Sequence, residues 1–413
     1  MSTQNNKKLA IIGGGASGLM AAGTALLYGA DVTVIEHNKK AGRKLLITGK
    51  GRCNVTNNCS PAEFLQSVIS NPRFLYSALF TFTPEDTIAL IENHGTPLKT
   101  ERGKRVFPTS DLAGDVLSAL LRYAKGTRFI HEHVNSVKYI NTDQVSIETP
   151  NEKYVFDAVI LATGGTSYPK TGSDGTGFEI AKALGHSITP LQASLVPLIG
   201  SNECEAMQGL SLKNVGVTIT DTNNKQVYTD FGELLFTHFG ISGPTILSGS
   251  AHLTAADITG YVLHIDLKPA LDEATLDTRL LGDFQKYQNR ELCNALNDLL
   301  PQKMIPVFIQ KTNISPHKKI NCLTKSERLC ILRTLKDFTI TLKGRRPIDE
   351  AIITRGGISV KEIDPKTMAS KLTPKVFFAG EMIDVDAYTG GFNLQIAFST
   401  GYLAGKHAAE ILY

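Results

Sequence analysis

The sequence predicts an α/β protein built on a parallel sheet, with a β-rich segment and a helical segment inserted into it. Three observations carry that prediction. An apolar strand, a glycine turn, a helix and a second strand follow one another before residue 36. Short segments of alternating polarity, broken by turn residues, take over near Pro190. After Thr341 the α/β texture returns and runs to the end of the chain.

Each element has a local reason. Leu9 to Ile12 is a short apolar strand, and Gly18 to Tyr28 reads as a helix bearing the small residues Ala21, Ala22 and Ala25. Gly29 ends that helix and Asp31 to Ile35 alternates as a second strand. Two strands joined through a helix form a βαβ unit, so their pairing is parallel. Ala41 to Asn58 is rich in glycine, basic and small polar residues and reads as an ordered loop. Phe64 to Gly95 is mostly helical in pattern, and Val106 to Tyr123 holds a turn and an amphipathic helix. Phe129 to Ile147 reads as a hairpin, and Tyr154 to Thr163 as a strand stopped by Gly164 and Gly165. Val215 to Thr220 and Tyr261 to Leu267 are typical of the short strands that form a small barrel. Asp272 to Arg333 is helical, Val376 to Ala379 is a strand, and Leu394 to Leu412 is a closing helix. The expected boundaries are 1–190 with 342–413 for the nucleotide-type domain, 191–271 with 334–341 for a β-rich, barrel-like domain, and 272–333 for a small helical subdomain.

Bulk properties narrow the classes. A chain of 413 residues, 42% hydrophobic and 20% charged, has room for two or three domains and a buried core. A formal charge of +4 is too small to call for a nucleic-acid or membrane partner. The basic clusters at Lys99 to Arg105, Lys318–Lys319 and Lys343 to Arg346 read as solvated faces. The six cysteines form no CxxC pair, which points to a reducing compartment and a cytoplasmic location. Lys7–Lys8 before Leu9 imitates a signal peptide, but the glycines from Gly13 interrupt the apolar run. No apolar stretch approaches the ~18 residues of a membrane span. No His, Cys, Asp or Glu cluster has metal-ligand spacing, so no metal is expected. The expected state is a monomer or homodimer.

Three motifs carry chemistry. The first is Gly13-Gly14-Gly15-Ala16-Ser17-Gly18, between strand and helix. Gly13 allows the tight turn, Gly15 lets a pyrophosphate approach the backbone, and Gly18 lets helix pack on strand. Ala16 and Ser17 open the helix, whose free N–H groups and dipole favour phosphate. Glu36 ends the second strand, where a carboxylate accepts hydrogen bonds from ribose hydroxyls and repels a 2′-phosphate. That pattern defines a Rossmann-type dinucleotide site, for FAD or NAD. The following loop favours FAD. Arg43 and Lys44 suit phosphates or the adenine ribose, and Thr48, Gly51, Arg52, Cys53 and Asn54 lead toward the flavin end; His37, next to Glu36, joins the same set. The second motif is Ala162-Thr163-Gly164 at a strand's carboxyl end, followed by a glycine-rich turn and a helix for which Asp174 is the expected cap. The third is Gly380-Glu381 with Asp384, then Gly391-Phe392-Asn393-Leu394-Gln395 at the start of the last helix. Free N–H groups there would face the flavin and stabilise negative charge on it, and Asp384 would bind ribityl hydroxyls.

With these motifs in hand, the sequence resembles the HI0933-like family of bacterial flavoproteins, which includes aminoacetone oxidase and a bile-acid dehydro-reductase. The resembling stretches are Ile11 to Ala22, Gly42 to Asn57, Gly103 to Pro108, Ala162 to Gly177, Gly232 to Pro244 and Gly380 to Ala404. The resemblance implies one non-covalent FAD, a Rossmann domain split in sequence, an inserted β-rich domain and a small helical domain. It also implies that Glu36 and the matched loop, strand-end and C-terminal glycine residues touch FAD, and that the backbone at Val134 meets the adenine. It does not carry a substrate.

For catalysis, His238 lies between aromatics and glycines and suits a general acid or base. Tyr168 and Lys170 follow the second motif and border a substrate site. Arg52 and Arg105 suit an anionic substrate or the charge on a reduced flavin. Cys53, without a CxxC partner, reads as a small packing residue. The expectation is an FAD-dependent oxidoreductase acting on a small molecule, with NAD(P)H as a possible diffusible donor; the lack of a second GxGxxG disfavours the two-dinucleotide reductase type. The alternatives are a flavin-dependent RNA-modifying enzyme, marked by salt-sensitive RNA binding, and a non-enzymatic FAD-bound sensor or assembly factor.

Overall fold

The computed structural model describes residues 7–141 and 143–412. The chain divides at Ser194/Leu195 and Pro347/Ile348 into two compact units, the second being the insert.

The first unit is built on a five-stranded parallel sheet. The elements that frame the sheet and its edge, in chain order, are β1 (Lys8–Ile12), α1 (Ala16–Leu27), β2 (Asp31–Ile35), β3 (Arg128–Ile130), β4 (Ala158–Leu161), α2 (Thr176–Ala183), β5 (Ile188–Ser194), β6 (Ile353–Ile358), β7 (Val376–Phe378) and α3 (Phe392–Glu410). The sheet order is β7-β4-β1-β2-β3, parallel throughout. Its strands are nearly continuous apolar runs because both faces are covered, and β4 is buried at every residue. On one face α1 and α3 approach at backbone distance. A Cβ on Gly401 would stand 2.5 Å from the Ser17 carbonyl oxygen, and one on Gly405 would stand 2.4 Å from that of Ala21. The small residues of α1 thus serve a close helix–helix contact. β5 and β6 pair antiparallel as a separate ribbon.

The second unit is a closed barrel with helices. The barrel order is Leu198–Gly200, Gly240–Ser242, Gln226–Thr237, Ser211–Thr220, Val262–Asp266 and Phe338–Arg345. The helices Glu273–Lys286, Ile305–Thr312 and Lys325–Lys336 share one apolar cluster with it, in which Leu276, Phe308 and Leu335 join Phe338 and Ile340. The helical segment expected at 272–333 therefore has no core of its own. The expected return to the nucleotide domain at 342 falls inside the strand Phe338–Arg345, whose pairing belongs to the barrel.

Other readings also change in detail. The stretch read as one strand from Tyr154 is two: Lys153–Phe156 joins an antiparallel sheet and β4 joins the parallel one. Asp157 marks the break, its Oδ2 accepting the Lys8 N–H at 2.8 Å. Phe129 belongs to β3, and the hairpin consists of Ser136–Asn141 and Gln144–Glu148. Among the described residues no helix is long and apolar enough to cross a membrane.

One buried titratable group makes stability depend on pH. His186 is buried, its Nε2 lying 2.8 Å from Ser370 Oγ and its Nδ1 3.2 Å from Glu362. Burial, more than the opposing pull of Glu362, holds its pKa below the usual 6.5. A lowered folded-state pKa contributes stability above the unfolded value, and that contribution is lost as pH falls through it. Denaturant titrations should therefore show a lower midpoint at about pH 5 than at about pH 7. His186→Gln should shrink that difference; an unchanged difference would assign it to other groups.

Candidate functional site

Three strand ends meet at one edge of the parallel sheet. The Gly13 N–H donates to the Ile35 carbonyl, Ala162 N–H to Ile12 and Ala379 N–H to Leu161, at 2.9, 2.9 and 3.0 Å. The three motifs, distant in sequence, are thus neighbours. Their glycines divide the work. Gly13 has φ +105°, and a Cβ there would stand 2.5 Å from the Ala162 oxygen. A Cβ on Gly18 would stand 1.9 Å from the Gly13 oxygen, and one on Gly380 would stand 2.5 Å from Ser17 Oγ. Gly15 differs: a Cβ there meets nothing within 4 Å. It caps α1 without a side-chain hydrogen bond, so the first-turn N–H groups, those of Ala16 and Ser17 included, have no intrahelical partner.

Beside this edge lies a cleft lined by Gly13, Glu36, His37, Val134, Thr163 and Asp174. Glu36 is buried; its Oε2 accepts the Gly14 N–H at 2.8 Å, and its Oε1 accepts the Asn38 backbone and side-chain N–H groups at 2.8 Å each. Arg43 reaches Asn38 Oδ1 at 2.6 Å, which steadies this acidic corner from outside. The exposed His37 ring lies 5.8 Å from that of His133. Glu132 also lines the cleft, and its Oε2 is a buried acceptor with no protein donor. Asp174 does not cap α2. Gly175 is the N-cap, and Asp174 Oδ1 accepts the Thr176 N–H at 3.0 Å. Burial pushes the Asp174 carboxyl up, but the Thr176 hydrogen bonds and the two histidines outweigh it and hold it below the usual range. Thr163 is pressed against α2, since a Cβ on Gly177 would stand 1.9 Å from its Oγ1. Gly164 has φ +78° and faces Ser173.

The loop after β2 is more structured than expected. Arg43–Ile47 is a short helix and Thr48–Gly51 a 3-10 turn, with Thr48 Oγ1 donating to the Leu45 carbonyl at 2.7 Å. Lys44 Nζ lies 2.6 Å from Glu381 Oε2 and 2.7 Å from Ser167 Oγ. Glu381 Oε1 accepts from Ser167 Oγ and the Thr354 N–H at 3.0 and 2.7 Å. Lys44 and Glu381, both expected on the cofactor, thus join the loop to the third motif. Gly49, Lys50, Gly51 and Cys53 all have positive φ. A backbone so knotted costs energy and recurs where a ligand or a functional group needs it. It leaves Asn54 Oδ1 buried without a donor, and a Cβ on Gly51 would meet open space. Cys53 is fully buried, which pushes its thiol up to about 12 and leaves it an inert packing residue.

Arg52 is engaged elsewhere. Its guanidinium lies 2.5 Å from Glu101 and 2.6 Å from Asp111 and stacks 4.2 Å from the Phe107 ring centroid. Lys99 lies 2.9 Å from the same Asp111. Two cations face two carboxylates, so this arrangement anchors the loop rather than presenting a free positive charge.

At the C-terminal motif the structure separates backbone from side chains. Gly391, at φ +98°, caps α3, and a Cβ there would stand 2.3 Å from the Thr56 carbonyl. Phe392 packs edge-on to Phe64 at 4.9 Å, and Leu394 is half-buried. Asn393 clamps its own turn, accepting the Ala387 N–H and donating to the Ala387 and Tyr388 carbonyls. Gln395 is fully buried. It accepts from Thr56 Oγ1 at 2.7 Å and donates to Phe82 O and Ser399 Oγ. Asp384 holds Asn71 through both its backbone oxygen and its carboxylate, and burial raises its pKa. The polar ends of Asn393, Gln395 and Asp384 thus serve the fold, leaving the α3 N-terminus as the part free to face a ligand.

Tyr168 has a left-handed backbone, φ 52°, and its half-buried phenol is raised first by burial and then by Glu350. His238 lies in the insert, exposed in the turn between barrel strands, with its ring edge-on to Phe239 at 4.9 Å. Sequence reasoning missed Asn38, Glu132, Ser167 and Thr354. Asn38 had a signal, an amide two residues after the ribose-type carboxylate. Glu132 had none, because its placement depends on β3 joining the sheet. The absence of metal-ligand spacing is also corrected in space, where donors of Glu291, Cys293 and His317 all lie within 4.8 Å of one another.

The fold, this edge and the relatives together define the class, a Rossmann-type FAD-binding oxidoreductase with a barrel insert. The HI0933-like protein Rossmann domain profile matches residues 7–407, and the chain belongs to that family. It is 30% identical to a 3-dehydro-bile acid delta(4,6)-reductase of Clostridium scindens, over 98% of this chain and 99% of that one. It is 31% identical to a ribosomal RNA dihydrouridine synthase of Escherichia coli, over 96% of each. A 3-ketosteroid-delta4-(5alpha)-dehydrogenase of Rhodococcus jostii shares the fold, with a TM-score of 0.51 at 15% identity over 99% of this chain and 98% of that one.

Proposed function

We propose that the protein transfers a hydride between non-covalently bound FAD and a small molecule, at a carbon–carbon double bond conjugated to a carbonyl. The observation that carries the cofactor assignment is the meeting of three glycine-bearing strand ends with open space at Gly15. The residues fit FAD. The α1 N-terminus with Gly15, Ala16 and Ser17 suits the pyrophosphate. Glu36 has lone pairs beyond those used by Gly14 and Asn38 for ribose hydroxyls. The Val134 backbone borders the adenine end, while the buried acceptors Glu132 Oε2 and Asn54 Oδ1 suit donors on the cofactor. FAD, when bound, supplies the hydride donor and acceptor. NAD(P)H is the diffusible reductant in this reading.

The conjugated bond is supported by the relatives' names. A delta(4,6) unsaturated 3-oxo steroid and a uracil ring both carry a carbon–carbon double bond in conjugation with a carbonyl. Reducing such a bond places a proton on the carbon next to the carbonyl, and Tyr168 is the residue assigned to give it. Burial keeps its phenol protonated. Tyr168→Phe should lower turnover about 100-fold and leave FAD content unchanged, as read by steady-state rates and the flavin spectrum; unchanged turnover would reject the assignment.

The second reading is the same reaction on a uridine in RNA, favoured by the name of the Escherichia coli relative. The basic clusters speak against it. Lys99 is 2.9 Å from Asp111, Lys104 is 3.0 Å from Glu63, and Lys343 is 2.6 Å from Asn202 Oδ1. The experiment is anaerobic: reduced holoprotein is mixed with a 4,6-dien-3-one steroid, or with unmodified ribosomal RNA, and flavin reoxidation is followed. Reoxidation by the steroid supports the main reading, reoxidation by RNA alone supports the second, and none with either overturns both.

A further inference from the structure

Within the insert the side chains of Glu291, Cys293 and His317 come together. Glu291 precedes the short helix Leu292–Ala295, and a stretch ending at Lys319 runs antiparallel to it through the Glu291–Lys319 bridge. The Leu292 N–H donates to the Lys318 carbonyl at 2.9 Å and the Cys293 N–H to Pro316 at 3.1 Å. This pairing brings His317 opposite Glu291 and Cys293. His317 Nδ1 lies 3.0 Å from Glu291 Oε2, and Cys293 Sγ lies 3.7 Å from the same oxygen. A tetrahedral zinc site with bonds of about 2.0–2.1 Å to N and O and about 2.3 Å to S has donor–donor edges of roughly 3.3–3.6 Å. The two separations bracket that range, and all three donors fall within 4.8 Å.

We propose that Glu291, Cys293 and His317 bind one zinc ion, with the fourth position open to the adjoining groove. Cys293 and His317 both line that groove, together with the amides of Asn294, Asn297, Gln310 and Asn313. Three protein ligands with an open position are the arrangement of a zinc that keeps a water or an exchangeable ligand. A thiolate and a carboxylate balance the double charge, and the thiolate selects zinc over magnesium or calcium. On binding, the Cys293 S–H bond breaks, an S–Zn bond forms, and the proton leaves to solvent. Without a cation the thiol stays protonated, raised first by burial and then by the Glu291 charge. The site lies wholly within the insert and does not depend on the flavin reading.

The test uses the full-length holoprotein, washed with chelator and titrated with Co²⁺. The expected result is one Co²⁺ per chain, with tetrahedral d–d bands to the red of flavin absorption that vanish on adding Zn²⁺. Cys293→Ser and His317→Ala should each abolish the bands, while Cys322→Ser, an exposed cysteine of the same unit, should keep them. His317 is 75% exposed, so its replacement leaves the fold intact. No red band, or a band that survives either ligand variant, overturns the proposal.

Discussion

Gly15→Val is expected to give a folded protein that no longer holds FAD. Its backbone has φ −79° and ψ −167°, which valine adopts freely, and a Cβ there meets nothing within 4 Å. Replacing the glycine N-cap of α1 should cost about 1 kcal/mol, too little to unfold the protein. The valine methyls would occupy the space through which a pyrophosphate approaches the α1 N–H groups. FAD affinity should fall at least about 100-fold, or ~2.8 kcal/mol, measured by flavin fluorescence titration. Gly18→Ala is the counterpart, with its Cβ 1.9 Å from the Gly13 oxygen. It should destabilise the protein by about 3 kcal/mol. Two glycines of one turn thus separate binding from folding. Should Gly15→Val bind FAD normally, the pyrophosphate does not lie there.

Gln395→Ala is expected to behave in the opposite way. The glutamine sits fully buried between Thr56, Phe82 and Ser399. Truncation leaves a cavity and strips the Thr56 hydroxyl of its acceptor. The expected loss is about 3 kcal/mol, seen as a lower denaturant midpoint. The flavin spectrum and FAD affinity of the folded fraction should not change. A shifted spectrum at unaltered stability would restore the side chain to the cofactor, as the sequence motif suggested.

That contrast shows what the sequence could and could not reveal. The β1–α1–β2 unit was legible because its signals are local: an apolar run, glycines at fixed offsets and an acidic residue at a strand end. The meeting of three strand ends followed from parallel topology, which carries every such end to one edge. The partners of side chains were not legible. Arg52 finds Glu101 and Asp111, 49 and 59 residues away, and nothing in the loop announces them. Gln395 follows a glycine turn as a ligand would, and only its burial against Thr56 reveals a structural role. The helix Arg43–Ile47 is too short to display a period. The apolar run from Tyr154 hid the change of sheet at Asp157, because strands of both kinds have the same texture.

The order of strands across the sheet also dictates an order in time. β7 and α3 are translated after the whole insert, yet β7 pairs with β4 and α3 packs its Gly401 and Gly405 against α1. A ribosome therefore emits the part of this unit that ends at Ser194 long before its partner exists. During that interval the small apolar face of α1 and one edge of β4 lie bare on the nascent polypeptide, a surface that chaperones recognise and neighbouring chains aggregate through. The edge where the three strand ends meet is completed only after β7 has been made. A stop codon placed shortly before Val376 would yield an insoluble product, whatever the intactness of its first 375 residues.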